Sequence, residues 1–131
     1  MPIIQIKVAA PKSRVTTRRI SEHLLEVTSK VLNKKPEVTA IAIEYVDPED
    51  WFIAGKPLSE SGLASFYFDI RITDETNTKA EKAQYIREAF HGLERILGPL
   101  HPESYIHVHD VRAAAYGFGG KTQEYRFQHN G

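Results

Sequence analysis

The segment Gln-Ile-Lys-Val at residues 5–8 returns 64 positions later as Asp-Ile-Arg-Ile at residues 69–72. Four more features recur in the same order at separations of 65 or 66 residues. They are a set of apolar residues at helical spacing, a Pro-Glu pair, a set of alternating apolar residues typical of a strand, and an aromatic segment that ends in Gly-Lys. Any β-α-β unit repeats its hydrophobic pattern, but pattern alone does not repeat Pro-Glu and Gly-Lys, so the order indicates an internal duplication. The matched positions are Ile20, Leu24, Val27 and Val31 with Ile86, Phe90, Leu93 and Leu97, Pro36 with Pro102, Ile41, Ile43 and Val46 with Ile106, Val108 and Val111, and 51–56 with 116–121.

Each half predicts one β-α-β unit with two short strands around a long amphipathic helix. β-branched and aromatic runs predict the strands, and apolar residues spaced by three and four predict the helices. Thr78 and Glu81 have the spacing of a capping box, and Gly98-Pro99 ends the second helix. The predicted strands are 3–8, 39–46, 66–72 and 105–111, and the predicted helices are roughly 14–33 and 79–97.

Two such units predict an α/β fold of the two-layer α+β kind, in which a four-stranded mixed sheet carries both helices on one face. Strands joined through a helix of this length are normally parallel, with a right-handed crossover. We expect a single domain over residues 1–131, with pseudo-repeats at about 2–62 and 63–131.

Two helices can cover only one face of this sheet, so the other face needs a different partner. Sheets with parallel pairs are usually covered on both sides, and a mixed small, aromatic and imidazole face suits a subunit interface or a site. We therefore expect an oligomer, with interlocking edges supplied by residues 47–62 and 112–131. The predicted helix-covered residues are Ile41, Ile43, Ile106 and Val108, and the predicted uncovered residues are Ala40, Ala42, Glu44, Tyr105, His107 and His109.

Composition excludes several classes of protein. Lys+Arg and Asp+Glu number 17 each, so the formal net charge is zero and no electrostatic argument favours nucleic acid or an anionic membrane. The absence of cysteine excludes disulfides, thiolate zinc sites and cysteine nucleophiles. No apolar run approaches the ~20 residues of a membrane span, and the first residues lack the pattern of a signal peptide. We expect a soluble, cytoplasmic protein.

Pro2 carries a chemical hypothesis. Methionine before a small residue such as proline is expected to be removed, which leaves a secondary amine that can act as a base without a side chain. A free α-amine titrates near ~8, and an apolar pocket lowers the pKa of a cationic amine toward the range that general base catalysis needs. If Met1 stays attached, the Pro2 nitrogen is an amide and has no basicity.

Pro-Ile-Ile-Gln-Ile at residues 2–6, the duplicated unit and the glycine-containing segment after each second strand resemble the tautomerase superfamily. This superfamily includes 4-oxalocrotonate tautomerase, with one β-α-β unit, and macrophage migration inhibitory factor and 5-carboxymethyl-2-hydroxymuconate isomerase, with two. Residues 105–114 and the pair Lys35-Pro36 are similar to the inhibitory factor group. The resemblance implies a homotrimer whose amino-terminal proline moves a proton within a small 2-oxo or 2-hydroxydienoic acid, without a cofactor.

The resemblance also implies roles for residues around the proline. Such a reaction requires a cation for the substrate carboxylate and a donor for the enolate oxygen. Each implied residue has an ordinary interpretation as well: solvated loop lysine, helix C-terminal lysine, interface aromatic or core tryptophan. The implied residues are catalytic Pro2 and Tyr105 and substrate-binding Lys12, Lys35, Trp51 and His107.

Three other functions stay open from the sequence. The hydratases and dehalogenases of the superfamily carry arginines after the third strand, where this chain has Thr73 and Thr76, so they rank below a tautomerase. A non-catalytic trimeric binding protein would keep the same fold. His107 and His109 share one face of a strand and could chelate Zn²⁺ or Ni²⁺, but Asp110 points the opposite way and no third ligand is evident, so we predict no metal site.

Overall fold

The computed structural model, which describes residues 2–130, contains four long strands and two long helices in the order β-α-β-β-α-β. The predicted fold class, with its tandem β-α-β order and two-layer arrangement, is confirmed, and every predicted strand and helix agrees to within one residue at each end. The elements are β1 (Ile3–Ala9), α1 (Arg14–Leu32), β2 (Ala40–Val46), β3 (Phe52–Ile53), β4 (Lys56–Pro57), β5 (Ser65–Thr73), α2 (Lys79–Leu97), β6 (Tyr105–Val111), β7 (Gly117–Phe118), β8 (Lys121–Thr122) and α3 (Gln123–Asn130).

The four long strands form one mixed sheet in the order β2-β1-β5-β6. β1 runs parallel to β2 and β5 runs parallel to β6, as predicted for strands that are joined through a helix. The two units meet through the antiparallel pairing of β1 with β5, in which Gln5 lies opposite Asp69. Because these two residues are counterparts in the repeat, an approximate two-fold axis relates the halves of the sheet.

The ends of the long helices follow from local signals in the sequence. Thr78 and Glu81 form the predicted capping box at the start of α2. Gly98 ends α2 with a φ of 85°. α1 ends at Leu32, one residue before the predicted end, because Asn33 adopts the left-handed conformation with a φ of 57°. None of the helices within residues 2–130 has the length and apolar character that crossing a membrane requires.

The core lies between the sheet and the two long helices. Alternate residues of the central strands β1 and β5 are almost completely buried against the apolar stripes of α1 and α2. The edge strands β2 and β6 pack half-buried residues against this core, so the predicted helix-covered face is confirmed. The core includes Ile4, Ile6, Val8, Ile20, Leu24, Phe66, Phe68, Ile70, Ile72, Tyr85 and Leu93, and the half-buried edge residues include Ile41, Ile43, Ile106 and Val108.

The opposite face of the sheet, here called the open face, is uncovered in the single chain. Its residues are exposed or half-buried, as predicted for β2 and β6. A groove of about 500 Å³ crosses this face between β2, β1 and β5. The open face consists of residues 3, 5 and 7 of β1, 40, 42 and 44 of β2, 67, 69 and 71 of β5, and 105, 107 and 109 of β6.

A short hairpin follows each β-α-β unit. The β3–β4 and β7–β8 hairpins are 65 residues apart, which is the separation at which 51–56 and 116–121 match in the sequence. The turns Ala54-Gly55 and Gly119-Gly120 all have positive φ, between 54° and 80°, as a type I′ turn requires. Residues 47–62 and 112–130 therefore project ordered hairpins from the sheet, and their role as interlocking edges stays a prediction.

The two long helices pack closely on each other and share a buried hydrogen bond. Thr28 Oγ1 and the Tyr85 hydroxyl are 2.8 Å apart, and both residues are fully buried. Nearby, a Cβ on Gly92 would lie 1.8 Å from the ring of His23, so a larger residue at position 92 would force this ring to move. Burial lowers the pKa of His23, so its neutral ring can donate from Nε2 to the carbonyl oxygen of Ala89 at 3.2 Å.

Replacement of Thr28 by valine should lower the free energy of unfolding by about 1–3 kcal/mol, because it leaves the buried Tyr85 hydroxyl without a partner. The double variant Thr28→Val with Tyr85→Phe should be less destabilised than the sum of the two single variants. Urea denaturation followed by circular dichroism measures both effects. Tyr125→Phe, which removes an exposed hydroxyl, is the control, and strictly additive single variants would contradict the coupling.

Candidate functional site

Pro2 is buried immediately before β1. Its carbonyl oxygen accepts a hydrogen bond from the backbone N–H of Ala40 at 3.2 Å, so β2 fixes its backbone. Because β5 and β6 run opposite to β1 and β2, the last residues of β5 and β6 lie at the same end of the sheet. We call this the Pro2 end, and it holds Pro2, Ala40, Thr73 and Val111.

A chain of hydrogen bonds crosses the Pro2 end and links four residues that were not predicted as site residues. Lys34 Nζ donates to Thr76 Oγ1 at 2.8 Å, and Thr76 Oγ1 donates to the carbonyl oxygen of Thr73 at 2.5 Å. Thr73 Oγ1 in turn shares a hydrogen bond with the Tyr116 hydroxyl. Burial lowers the pKa of Lys34 and raises the pKa of Tyr116. The Pro2 end therefore contains an ammonium and a phenol that are both partly removed from water.

The predicted site residues divide between the two ends of the sheet. Lys35 shares the Pro2 end and is exposed. Lys12 follows β1 and Trp51 follows β2, so both lie at the opposite end. Tyr105 begins β6 beside the start of β5, which also lies at that opposite end. A single chain therefore does not bring Pro2 together with Lys12, Trp51 or Tyr105.

The Tyr105 hydroxyl already has a hydrogen-bond partner within the chain. The hydroxyl donates to the carboxylate of Glu103, and this hydrogen bond together with the charge of Glu103 raises the pKa of Tyr105. The phenol consequently stays protonated at neutral pH. Ser65, at the start of β5, lies at the same end of the sheet. It is fully buried, and its hydroxyl donates to the carbonyl oxygen of Glu103 at 2.9 Å.

His107 lies in the middle of the open face, away from both ends of the sheet. Its ring centroid is 5.5 Å from that of Tyr67 and 5.6 Å from that of His109, so the three rings form a row. His109 Nε2 lies 3.2 Å from Asp69 Oδ2, close enough for an ion pair when the imidazole is protonated. Their alignment is not that of a hydrogen bond, which leaves Nε2 shielded from solvent without a hydrogen-bond acceptor.

Asp110 points to the helix-covered face, as predicted, where its carboxylate pairs with Lys82 of α2. This placement removes it from the row of rings that contains His107 and His109. Across residues 2–130, no group of three or more His, Cys, Asp or Glu side chains is placed to hold a metal ion.

Residues 2–61 match the family model described as Tautomerase enzyme. The solved structures that are similar to the chain include a fused 4-OT wild-type symmetric trimer, with 12% identity, coverage of 93% of this chain and 96% of that chain, and a TM-score of 0.80. A protein inactivated by 2-oxo-3-pentynoate gives 12% identity, coverage of 94% and 97%, and a TM-score of 0.81. A macrophage migration inhibitory factor-like protein from Entamoeba histolytica gives 16% identity, coverage of 92% and 97%, and a TM-score of 0.76. No curated protein sequence matches the chain.

The similar structures establish the fold of the whole chain, which is that of the duplicated 4-OT and inhibitory factor proteins. The family match covers the first β-α-β unit and the hairpin that follows it, and it begins at Pro2. The resemblance to the tautomerase superfamily is therefore confirmed. It supports a tautomerase-type function, without specifying the base or the substrate.

The half-buried Lys34 ammonium should titrate below the ordinary lysine value of 10.5, because burial disfavours its charged form. An NMR titration of protein labelled with ¹³C at the lysine Cε atoms measures this. The low-titrating resonance should disappear in Lys34→Arg and persist in Lys35→Arg. Loss of that resonance in Lys35→Arg instead would show that the neighbouring lysine is the shielded one.

Proposed function

We propose that the chain is a cofactor-independent tautomerase in which Pro2, freed by removal of Met1, is the general base. The observation that carries the proposal is the burial of Pro2 at the fixed start of a central strand, at the residue where the family match begins. A secondary amine in this setting is poorly solvated, which disfavours its cation and brings its pKa toward neutrality. The unprotonated amine can then accept a proton at working pH.

The proposed substrate is a small 2-oxo or 2-hydroxydienoic acid. Keto–enol or 1,3-proton transfer on such an acid requires only a base, a cation for the carboxylate and a donor for the enolate oxygen. Lys35 at the Pro2 end can supply a positive charge for the carboxylate. The similar protein that is inactivated by 2-oxo-3-pentynoate supports this substrate class, since that compound is itself a 2-oxo acid.

The proposed active form is a homotrimer in which neighbouring chains complete each site. Two observations support it: Pro2 and Tyr105 lie at opposite ends of one sheet, and the open face lacks a cover in the single chain. The fused 4-OT protein with the same fold is described as a trimer. In this arrangement Tyr105, Lys12, Trp51 and His107 reach a site from a neighbouring subunit or its interface. Tyr105 would exchange its hydrogen bond to Glu103 for one to the substrate. Trp51 would supply an apolar wall, and Lys12 and His107 would contact the carboxylate.

Incubation with 2-oxo-3-pentynoate should label Pro2 on native protein that lacks Met1. The unprotonated nitrogen attacks the conjugated alkyne, an N–C bond forms as one π bond breaks, and the carbon chain takes up a proton. Intact-mass measurement followed by peptide mapping locates the adduct, and the pH dependence of the rate gives the pKa of the amine. Lysine amines, which are protonated near neutrality, should react far more slowly.

Pro2→Ala should lower kcat/KM for ketonisation of phenylpyruvate by about 10²–10⁴-fold, the usual contribution of a general base. Tyr125→Phe is the matched control on the exposed C-terminal helix. Full activity in Pro2→Ala, or an adduct only on lysine, would overturn the assignment of the base. A native protein that retains Met1 and still turns over the substrate would do the same.

A mixture of two inactive variants tests the shared site. Co-expression of Pro2→Ala subunits with Tyr105→Phe subunits should restore part of the activity, because a mixed trimer pairs an intact Pro2 with an intact Tyr105 from its neighbour. Co-expression of Pro2→Ala with the double variant Pro2→Ala, Tyr105→Phe should restore none. Without recovery in the first mixture, Pro2 and Tyr105 do not act across a subunit boundary.

A further inference from the structure

The hydrogen-bonded pair Thr73 and Tyr116 lies at the same end of the sheet as Pro2. In the β1–β5 ladder Ile3 pairs with Arg71, so one further step places Ile72 beside Pro2 and Thr73 beyond the start of β1. The nitrogen of Pro2 precedes its Cα in the chain, so it lies toward the end of the sheet at which β5 ends with Thr73. The Thr73 side chain alternates with the buried Ile72 and therefore projects from the open face, where Tyr116 reaches its hydroxyl.

Tyr116 is held at both of its ends. Its backbone carbonyl accepts a hydrogen bond from the N–H of Gln123 at 2.8 Å, which closes the base of the β7–β8 hairpin. Its hydroxyl is bonded to Thr73, and the side chain is half-buried. A donor that is fixed before the substrate arrives does not have to be ordered during the reaction, which is the condition for effective electrostatic stabilisation.

The Tyr116 hydroxyl stays protonated and can donate a hydrogen bond to a bound substrate. Burial raises the pKa of Tyr116, so the phenol is neutral over the whole physiological range. When Thr73 Oγ1 donates to the phenolic oxygen, the phenolic proton is available for a third oxygen, and the chain of two hydrogen bonds polarises the donor. Tyr105 differs in this respect, because its proton is committed to the carboxylate of Glu103.

The geometry points to Tyr116 as a catalytic residue that acts in the same chain as Pro2 and donates a hydrogen bond to the C2 oxygen of the substrate. This role rests on the proposed function. During ketonisation the Pro2 nitrogen takes the enol O–H proton, and the O–H electron pair becomes the second C–O bond. The C2–C3 π pair then forms a C–H bond with the proton that Pro2 returns to C3. Tyr116 keeps its own proton and stabilises the negative charge that develops on oxygen.

Tyr116→Phe should lower kcat for phenylpyruvate ketonisation by about 10²-fold with little change in KM, as expected for a donor that acts mainly on the transition state. Tyr125→Phe removes a hydroxyl from the exposed face of α3 and should behave like the native protein. Circular dichroism and light scattering on each variant establish that the fold and the oligomer are intact.

A second pair of variants keeps Tyr116 and tests the hydrogen bond that Thr73 makes to its hydroxyl. Thr73→Val removes the hydroxyl that bonds to Tyr116 and should lower kcat, whereas Thr73→Ser keeps the hydroxyl and should restore it. If Thr73 had only a structural role, kcat would not depend on whether residue 73 carries a hydroxyl. If Tyr116→Phe fails to fold, this pair still decides the question, because equal kcat values for valine and serine at residue 73 overturn the proposal.

Labelling by 2-oxo-3-pentynoate separates failure of this inference from failure of the proposed function. Tyr116→Phe protein that still forms the Pro2 adduct, but turns over slowly, supports the donor role. Its labelling should also be slower than that of native protein, because attack on the conjugated alkyne places negative charge on the same C2 oxygen. A Pro2 adduct with normal kcat overturns the role of Tyr116 and leaves Pro2 as the base. Absence of a Pro2 adduct in native protein overturns both.

Discussion

The antiparallel pairing of β1 with β5 determines which parts of the two units come together. With this pairing the start of β1 meets the end of β5, so Pro2 lies at the same end of the sheet as Thr73 and the Tyr116 hydroxyl that bonds to it. A parallel junction would instead have placed Pro2 beside the start of β5. The same ladder is buried in the core on its helix-covered side, so the interaction that stabilises the sheet also positions the candidate base.

The apolar core and most of the candidate site residues occupy different parts of this sheet. The helix-covered face contains aliphatic and aromatic side chains that are almost completely removed from water, and burying each such side chain is worth roughly 1.5–3 kcal/mol. The open face and the strand ends carry the titratable groups, among them Asp69, His107, His109 and Lys34. Substitutions on the open face can therefore alter binding and assembly with small effects on the core.

The sequence is informative about the fold because its signals are local. Periodicity, the Thr78 capping box and Gly98 lie within single elements, and each is found where it was predicted. The candidate site depends instead on the pairing of distant strands, which a local pattern does not specify. Lys34 meets Thr76, 42 residues away, and Tyr116 meets Thr73, 43 residues away, only because the pairing of the long strands brings these segments to one end of the sheet. In the sequence Tyr116 is visible only as the counterpart of Trp51.

The buried Phe66 shows what duplication does to a scaffold of this kind. At the separation of 64 residues it is the counterpart of Pro2, and its backbone nitrogen is an ordinary peptide amide inside the chain. A peptide amide cannot serve as a base, so covalent fusion of two units leaves at most one reactive amine for every two structural copies. Under the proposed function the second unit therefore needs no free amine at this position, which in this chain holds a phenylalanine of the core.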